Sequence, residues 1–251
     1  TLFLRQAPDR LAAHGALPEE AAYVFSMTIP RGTVREQILR MIEFEFEGRV
    51  PIPPAAAVYD YSSIPTESAE HDEISVVVFP KDIAEAYAAA FEQSGIELLS
   101  LEVEARSIAR AISSGASDEP VTLIVDYGRA RTGFAVLKRG LPIFTSTVAV
   151  GGDAIDRALM VSMQMSSDEA SRFKIEEGLD ASPEHAAMRD AILPAATALA
   201  EEVAKHYRYW DTRRNEHGER VTPVNKVILV GGNANLRGLS DIIASKLQTE
   251  V

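Results

Sequence analysis

Two short apolar runs constrain this chain more than any other feature. VTLIV (Val121 to Val125) and VNKVILV (Val224 to Val230) are too short for buried helices and too apolar for surface loops. Each reads as a strand buried on both faces. Each also stops abruptly, the first on Asp126-Tyr127-Gly128 and the second on Gly231-Gly232. A third strand, LPIFTSTVAV, ends the same way on Gly151-Gly152-Asp153. Buried strands that end on acidic or glycine turns and feed helices imply an α/β fold.

Helix signals fill the spaces between these strands. Ile155, Leu159 and Met163 form an apolar stripe after Gly152. Ser167 is placed to cap a shorter helix ending near Gly178. Ser182-Pro183-Glu184 is a strong start for a long helix reaching about Thr212, with a kink or break expected at Pro194. A last amphipathic helix is expected over Leu236 to Leu247.

The first half reads as strand, helix, strand, strand. Ala21 to Pro30 alternates as a strand. Thr33-x-x-Glu36 has the form of a capping box, and Val34, Ile38, Ile42 and Phe46 give one stripe that Gly48 ends. PIPP forces an extended loop. Ala57 to Ile64 and Glu73 to Phe79 are two more strands, joined by a polar loop. A helix opened by Asp82-x-x-Glu85 closes at Ser94-Gly95, and IELLSLEVE leads into a helix over Ala105 to Ser113. SSGASDEP (Ser113 to Pro120) is the best linker candidate, so a lobe boundary is expected there.

Composition narrows the chemistry. Of 251 residues, 46% are apolar and 25% charged, which is enough to build a buried core. Cysteine is absent, so disulfides and thiolate metal sites are excluded. The five histidines show no metal-type spacing, and His206 reads as a surface or cap residue on its helix. Lys and Arg total 25 against 37 Asp and Glu, a net charge of -12, which argues against nucleic acid as the main partner. The one basic cluster, Arg208 to Arg214, is interrupted by Asp211 and reads as a solvated helix end. The longest clean apolar run, Ala191 to Ala200, is roughly half of a bilayer span. The chain opens on TLFLRQAPDR without a methionine or a visible signal peptide.

Each of the three turns has two readings. The stretch IVDYGRARTGFAVLKRG is either a plain acidic hairpin or a cradle for phosphate oxygens, with Asp126 placed to hold hydrated magnesium. ILVGGNANLRGLSDII is either a tight strand-to-helix connection or a flat backbone surface with a helix N-terminus beyond it. VGGD repeats the second grammar.

Taken in order, these segments resemble the second lobe of the actin, sugar-kinase and heat-shock-chaperone superfamily. Within it, the chain resembles the type IV pilus assembly protein PilM family, relatives of the division protein FtsA. MTIPRGTVREQILRMIEFEFEGRVPIP, SLEVEARSIARA, DYGRARTGFAVLKRG, FTSTVAVGGDAID, FKIEEGL and VILVGGNANLRGLSDIIASKL carry that resemblance over nearly the whole chain.

The resemblance implies an actin-like (ribonuclease H-like) two-lobed α/β fold. Residues 1–117 would be the first lobe, with an inserted strand-helix-strand-strand subdomain of the SHS2 type at about 22–95, and residues 118–251 the second. It implies ATP and magnesium as cofactors. Asp126 and Gly128 would belong to the second phosphate loop, with Asp126 holding magnesium or orienting the attacking water. Gly231, Gly232 and Asn233 would form the adenosine loop. Gly151 and Gly152 would line the cleft, and Glu202 and Lys205, one helical turn apart, would contact the ribose or adenine. Glu104 would be the acid that polarises water, or simply a solvated acid at a helix start.

The implied role is a cytoplasmic ATP-binding scaffold, at most a slow ATPase, of a pilus or related secretion machine. Its implied partner is the N-terminal cytoplasmic tail of an inner-membrane PilN-like protein, docked on the inserted subdomain. Three alternatives stay open: a small-molecule kinase, a nucleotide-free degenerate scaffold, and a membrane-tethered FtsA-like polymer. Tyr127 stands where the family has a small aliphatic residue. The family's first phosphate loop, a strand with D-I-G-S/T, has no counterpart here, and the family continues past Val251. The chain is therefore expected to be a trimmed piece of a longer protein, or to have an incomplete ATP site unsuited to hydrolysis.

Overall fold

The computed structural model describes residues 11–114, 116, 118–214 and 220–248. The opening TLFLRQAPDR segment, two positions of the expected linker (115 and 117) and His217 lie outside the described residues. The chain parts into two compact units. The first comprises residues up to Glu119 together with Arg139–Thr145, and the second comprises Pro120–Lys138 and everything from Ser146 onward. Residues 139–145, placed with the second lobe in the sequence reading, thus cluster with the first unit.

The first unit is built on an antiparallel sheet. Strands β2 (Tyr23–Pro30), β3 (Ala57–Ile64) and β4 (His71–Pro80) run in the order β3-β4-β2, and Phe25 of β2 pairs with Phe144 of β8 (Leu141–Val148). The period-two alternation of β4 assigns its two faces. Ile74, Val76 and Val78, all 0% exposed, meet Ile38, Ile42 and Phe46 of helix α1 (Arg35–Arg49). On the opposite face Phe79 joins Val24, Leu17, Ala84 and Val103 in a second cluster. That cluster ties in α2 (Lys81–Gln93) and the parallel pair β1 (Ala12–Leu17) and β5 (Glu97–Val103). Helix α3 (Glu104–Ile112) follows β5 directly.

In the second unit, β6 (Val121–Tyr127) is flanked by β7 (Thr132–Lys138), antiparallel, and β9 (Val224–Val230), parallel. Leu123, Ile124 and Val125 are at most 1% exposed, so both faces of β6 are covered. Helices α4 (Asp153–Met163), α5 (Ser167–Glu176), α6 (Ala186–Asp211) and α7 (Leu239–Leu247) complete the unit. Among the described residues no helix is long and apolar enough to cross a membrane.

Several local expectations need correction. Helix α1 starts one residue past Val34, which is 54% exposed and has no side-chain cap bond; Thr33 instead donates its hydroxyl to the Pro30 carbonyl. The helix also runs one residue beyond Gly48. The cap of α5 is Ser166, not Ser167, in a reciprocal capping box with Glu169. Helix α6 is continuous across Pro194. Pro194 and Asp190, whose carbonyl loses its intrahelical donor, are both exposed, so water can serve that group. Buried Ile192, Ala196 and Leu199 anchor the helix on both sides of the proline. Helix α7 begins at Leu239, because Gly232–Asn235 form a 3-10 turn first. His206 is no surface cap: it is half-buried with its ring stacked on Phe134, centroids 4.1 Å apart, and burial lowers its pKa.

Candidate functional site: a junction of three turns, and a groove

The three glycine or acidic turns of the second unit meet at one atom, the carbonyl oxygen of Gly128. It accepts from the backbone N–H of Gly152 at 3.0 Å and from Nδ2 of Asn233 at 2.9 Å. Gly128 is thereby tied by one hydrogen bond to Gly152 and by another to Asn233, more than a hundred positions away. The packing leaves little room. A Cβ at Gly152 would lie 2.1 Å from the Asn233 amide, and one at Gly151 would lie 2.4 Å from the backbone at 129–130. Glycine at these positions is a consequence of close approach.

Asp126 sits beside this junction. Gly231, at φ +90°, passes so close that a Cβ there would lie 2.4 Å from Oδ1 of Asp126. The Asp126 carboxyl is half-buried, and burial raises its pKa. Among the described residues no hydrogen-bond donor or cation engages its side chain. Gly232 behaves differently from its neighbours: a side chain there would meet nothing within 4 Å. Internal packing gives no reason for glycine at 232, whereas an open face is what a flat ligand needs.

Sequence reasoning missed the residues that hold the Asn233 amide. Lys174 of α5 donates to Oδ1 of Asn233 at 3.0 Å and pairs with Asp156 of α4 at 2.7 Å. Lys174 and Asp156 are only 12% and 22% exposed. This polar set fixes which way the Asn233 amide points, Nδ2 to Gly128 and Oδ1 to Lys174. The segment after Lys174 also grips the last loop. The N–H of Arg237 donates to the Lys174 carbonyl, the N–H of Leu179 donates to the Arg237 carbonyl, and Arg237 bonds to Glu176 and Asp180. Tyr127, on the opposite side of β6 from Asp126, is 1% exposed; burial, then Asp156, pushes its pKa up to about 12. FKIEEGL was visible in the sequence, but its lysine had no feature to separate it from other helix charges.

The remaining candidates make other contacts. Glu202 and Lys205 of α6 form an exposed ion pair with each other at 3.5 Å. Glu104 belongs to the first unit, where its carboxylate accepts from the N–H of Glu19 at 3.2 Å; the buried Glu19 in turn accepts from the N–H of Ala105 at 2.8 Å.

The first unit carries a groove of about 300 Å³. Val58, Asp60 and Ser62 of β3 line it beside their register partners Phe79, Val77 and Ser75 of β4, so the groove lies over this face of the sheet. Ser75, Val77 and Phe79 of β4 form the floor, and Leu101, Val103 and Arg106 the far wall. The free edge of β3 pairs with no other described strand.

The profile of the family described as Type IV pilus assembly protein PilM matches residues 9–251. This chain belongs to that family. A search of proteins of curated function finds no match. Among solved structures, the PilM-PilN type IV pilus biogenesis complex is similar at 18% identity and TM-score 0.72, covering 96% of this chain and 68% of that one. Ethanolamine utilization protein EutJ from Carboxydothermus hydrogenoformans is similar at 19% identity and TM-score 0.50, covering 86% and 91%. MreB 5 of Spiroplasma citri bound to AMPPNP is similar at 17% identity and TM-score 0.52, covering 68% and 59%. The fold is that of the actin-like ATPases, as the sequence resemblance to the PilM family implied.

Proposed function

We propose that this PilM-family chain is a cytoplasmic ATP-binding scaffold of type IV pilus assembly. The second unit takes ATP at the junction of its three turns. The first unit receives the N-terminal cytoplasmic tail of a PilN-like inner-membrane protein in the groove beside β3. One observation carries the nucleotide reading: three sequence-distant turns converge on Gly128 beside a half-buried carboxylate that no described residue neutralises.

The residues present fit the ligand. The packing of Gly231 against Asp126 places backbone and carboxylate side by side, and the open face at Gly232 leaves space for a flat base. Among the described residues no cluster of three or more His, Cys, Asp or Glu could hold a metal ion alone. Magnesium fits here only with phosphate oxygens and water as its other ligands, which is its usual habit. Asp126 is the residue that would hold it. Lys174, through Asn233, sets the shape of the loop that would meet the nucleoside. Glu202 and Lys205 are assigned to the ribose or adenine on the family resemblance.

The test is titration of a fluorescent ATP analogue with and without magnesium. Asp126→Asn should weaken magnesium-dependent binding by about tenfold or more, the worth of a charge-assisted contact. It should also stabilise the ligand-free protein at neutral pH. The reason is the sign of the shift. A carboxyl whose folded-state pKa is raised favours folding while protonated and opposes it once pH exceeds the folded pKa. The gain from Asp126→Asn should therefore be present at pH 7, fade as pH falls through the raised folded-state pKa, and be gone below the ordinary carboxylate range. Unchanged magnesium dependence would remove Asp126 from the site. If Glu104 polarises the attacking water, Glu104→Gln should leave ATP affinity unchanged and slow phosphate release by about a hundredfold. Equal rates would leave Glu104 only its bond to Glu19.

The partner reading is supported by fold similarity to a PilM-PilN complex and by the strand-helix-strand-strand unit β2-α1-β3-β4, which supplies one wall and the floor of the groove. An extended peptide fits a groove bordered by an end strand of the sheet, because backbone N–H and C=O groups on the outer edge of β3 remain to be matched.

A further inference from the structure

Beside the turn that joins β6 to β7, the second unit holds a cavity of about 320 Å³. That is the small end of the roughly 300–1,000 Å³ range of ligand pockets. Five alanines from four segments wall it: Ala130 of the turn, Ala149 after β8, Ala154 of α4, and Ala195 and Ala198 of α6. Protein interiors close such spaces with larger side chains. Here five positions contribute only a methyl group each. Neither Asp126 nor Lys174, Gly231, Gly232 or Asn233 lines the cavity. Tyr127 does, and it lies on the opposite side of β6 from Asp126.

Two charged side chains line the cavity, Asp153 and Arg157 of α4. The Asp153 carboxylate is already taken, because Arg129 pairs with it at 2.9 Å. Arg157 is exposed, so it stands at the mouth. Its Nε donates to the Asp153 carbonyl at 3.1 Å, which orients the guanidinium. Among the described residues its two outer nitrogens make no hydrogen bond and no ion pair. Two cations thus attend one carboxylate, and the mouth is locally positive in a chain of net charge -12. A guanidinium edge with two parallel donors matches a carboxylate. The apolar space beside it suits the hydrocarbon part of such an acid. We propose that this cavity is a second ligand site, for a small monocarboxylic acid. Its compact aromatic or branched body fills the alanine-walled space, and its carboxylate pairs with Arg157. The occupant touches Ala130, next to the Arg129 carbonyl that accepts from the Asp153 N–H at 2.9 Å. It therefore braces the turn that also carries Gly128.

The test uses the whole chain with benzoate, benzamide and benzylamine, which are similar in shape and differ in charge. Titration followed by NMR shifts of the protein gives each Kd. Benzoate should bind about fivefold more tightly than benzamide, the upper worth of an exposed ion pair, and benzylamine more weakly still. Arg157→Met keeps the apolar stem. It should bring benzoate to the benzamide value and leave benzamide unchanged. Ala198→Phe and Ala195→Leu narrow the space and should weaken all three ligands alike. Saturating benzoate should not displace the fluorescent ATP analogue, because Asp126 and the last loop lie outside the cavity walls. Four results would each overturn the proposal: no saturable binding of benzoate, no preference for it over benzamide or one that survives Arg157→Met, affinities untouched by both alanine variants, or displacement of the analogue. A protein that takes up no ATP analogue would sink the nucleotide reading, while the benzoate titrations would still decide this one. Melting curves matching the unmodified protein show that each variant is folded.

Discussion

Replacing Gly231 by valine should abolish nucleotide binding and lower the thermal midpoint by about 5–10 °C. Two costs add. The backbone at 231 is held at φ +90°, where a β-branched residue is strained by about 1–3 kcal/mol. The new Cβ would also lie 2.4 Å from Oδ1 of Asp126 and 2.8 Å from the Tyr127 carbonyl, so either the turn or the end of β6 must move. For a chain of this size each kcal/mol is worth about 2–4 °C. Gly232→Ala is the matched control. It has open space within 4 Å and no positive φ, so the fold should tolerate it. Loss of nucleotide affinity at 232 without loss of stability would locate the ligand on that open face. A valine at 231 that melts normally would show that this turn does not press on Asp126.

The second large effect is expected at Lys174. Removing its amine by Lys174→Met leaves the Asp156 carboxylate without a cation and the Asn233 carbonyl oxygen without its donor. Breaking a mostly buried pair from one side costs about 2–4 kcal/mol, because the remaining charge is stranded. The Asn233 amide should then lose its fixed orientation, and the last loop its hold on Gly128. Pairing the change with Asp156→Leu removes the stranded charge, and much of the stability should return. Denaturant titrations of the two single variants and the double variant give the coupling directly. Nucleotide affinity should stay low in the double variant, since Asn233 still lacks its donor. Additive losses in the double variant would show that Lys174 and Asp156 do not act as a pair.

Much of the fold was legible because its signals are local. The alternation along β4 and the stripe Ile38, Ile42, Phe46 give the faces that pack. Errors arose where local grammar had a nearby competitor. Thr33 could cap α1 or bond back to Pro30, and it took the second. Pro194 could have broken α6, but the burial of Ile192, Ala196 and Leu199 outweighs one lost backbone bond on the solvent side. His206 looked like any polar residue on a helix, and only the approach of Phe134 from β7 made it a packed one.

The candidate site divides the same way. The sequence by itself determined that three apolar strands end on turns made of glycine and acid, in an order that resembles the PilM family. It could do so because a buried strand and a sharp turn each leave a mark within a few residues. Only the tertiary structure decided that the turns meet at the carbonyl of Gly128, that Gly231 lies against Asp126, and that Lys174 and Asp156 set the Asn233 amide. Contacts between residues so far apart in the chain leave no local trace. A lysine on a helix carries the same charge whether it faces water or a buried carboxylate, and the packing of α4, α5 and the last loop makes that choice.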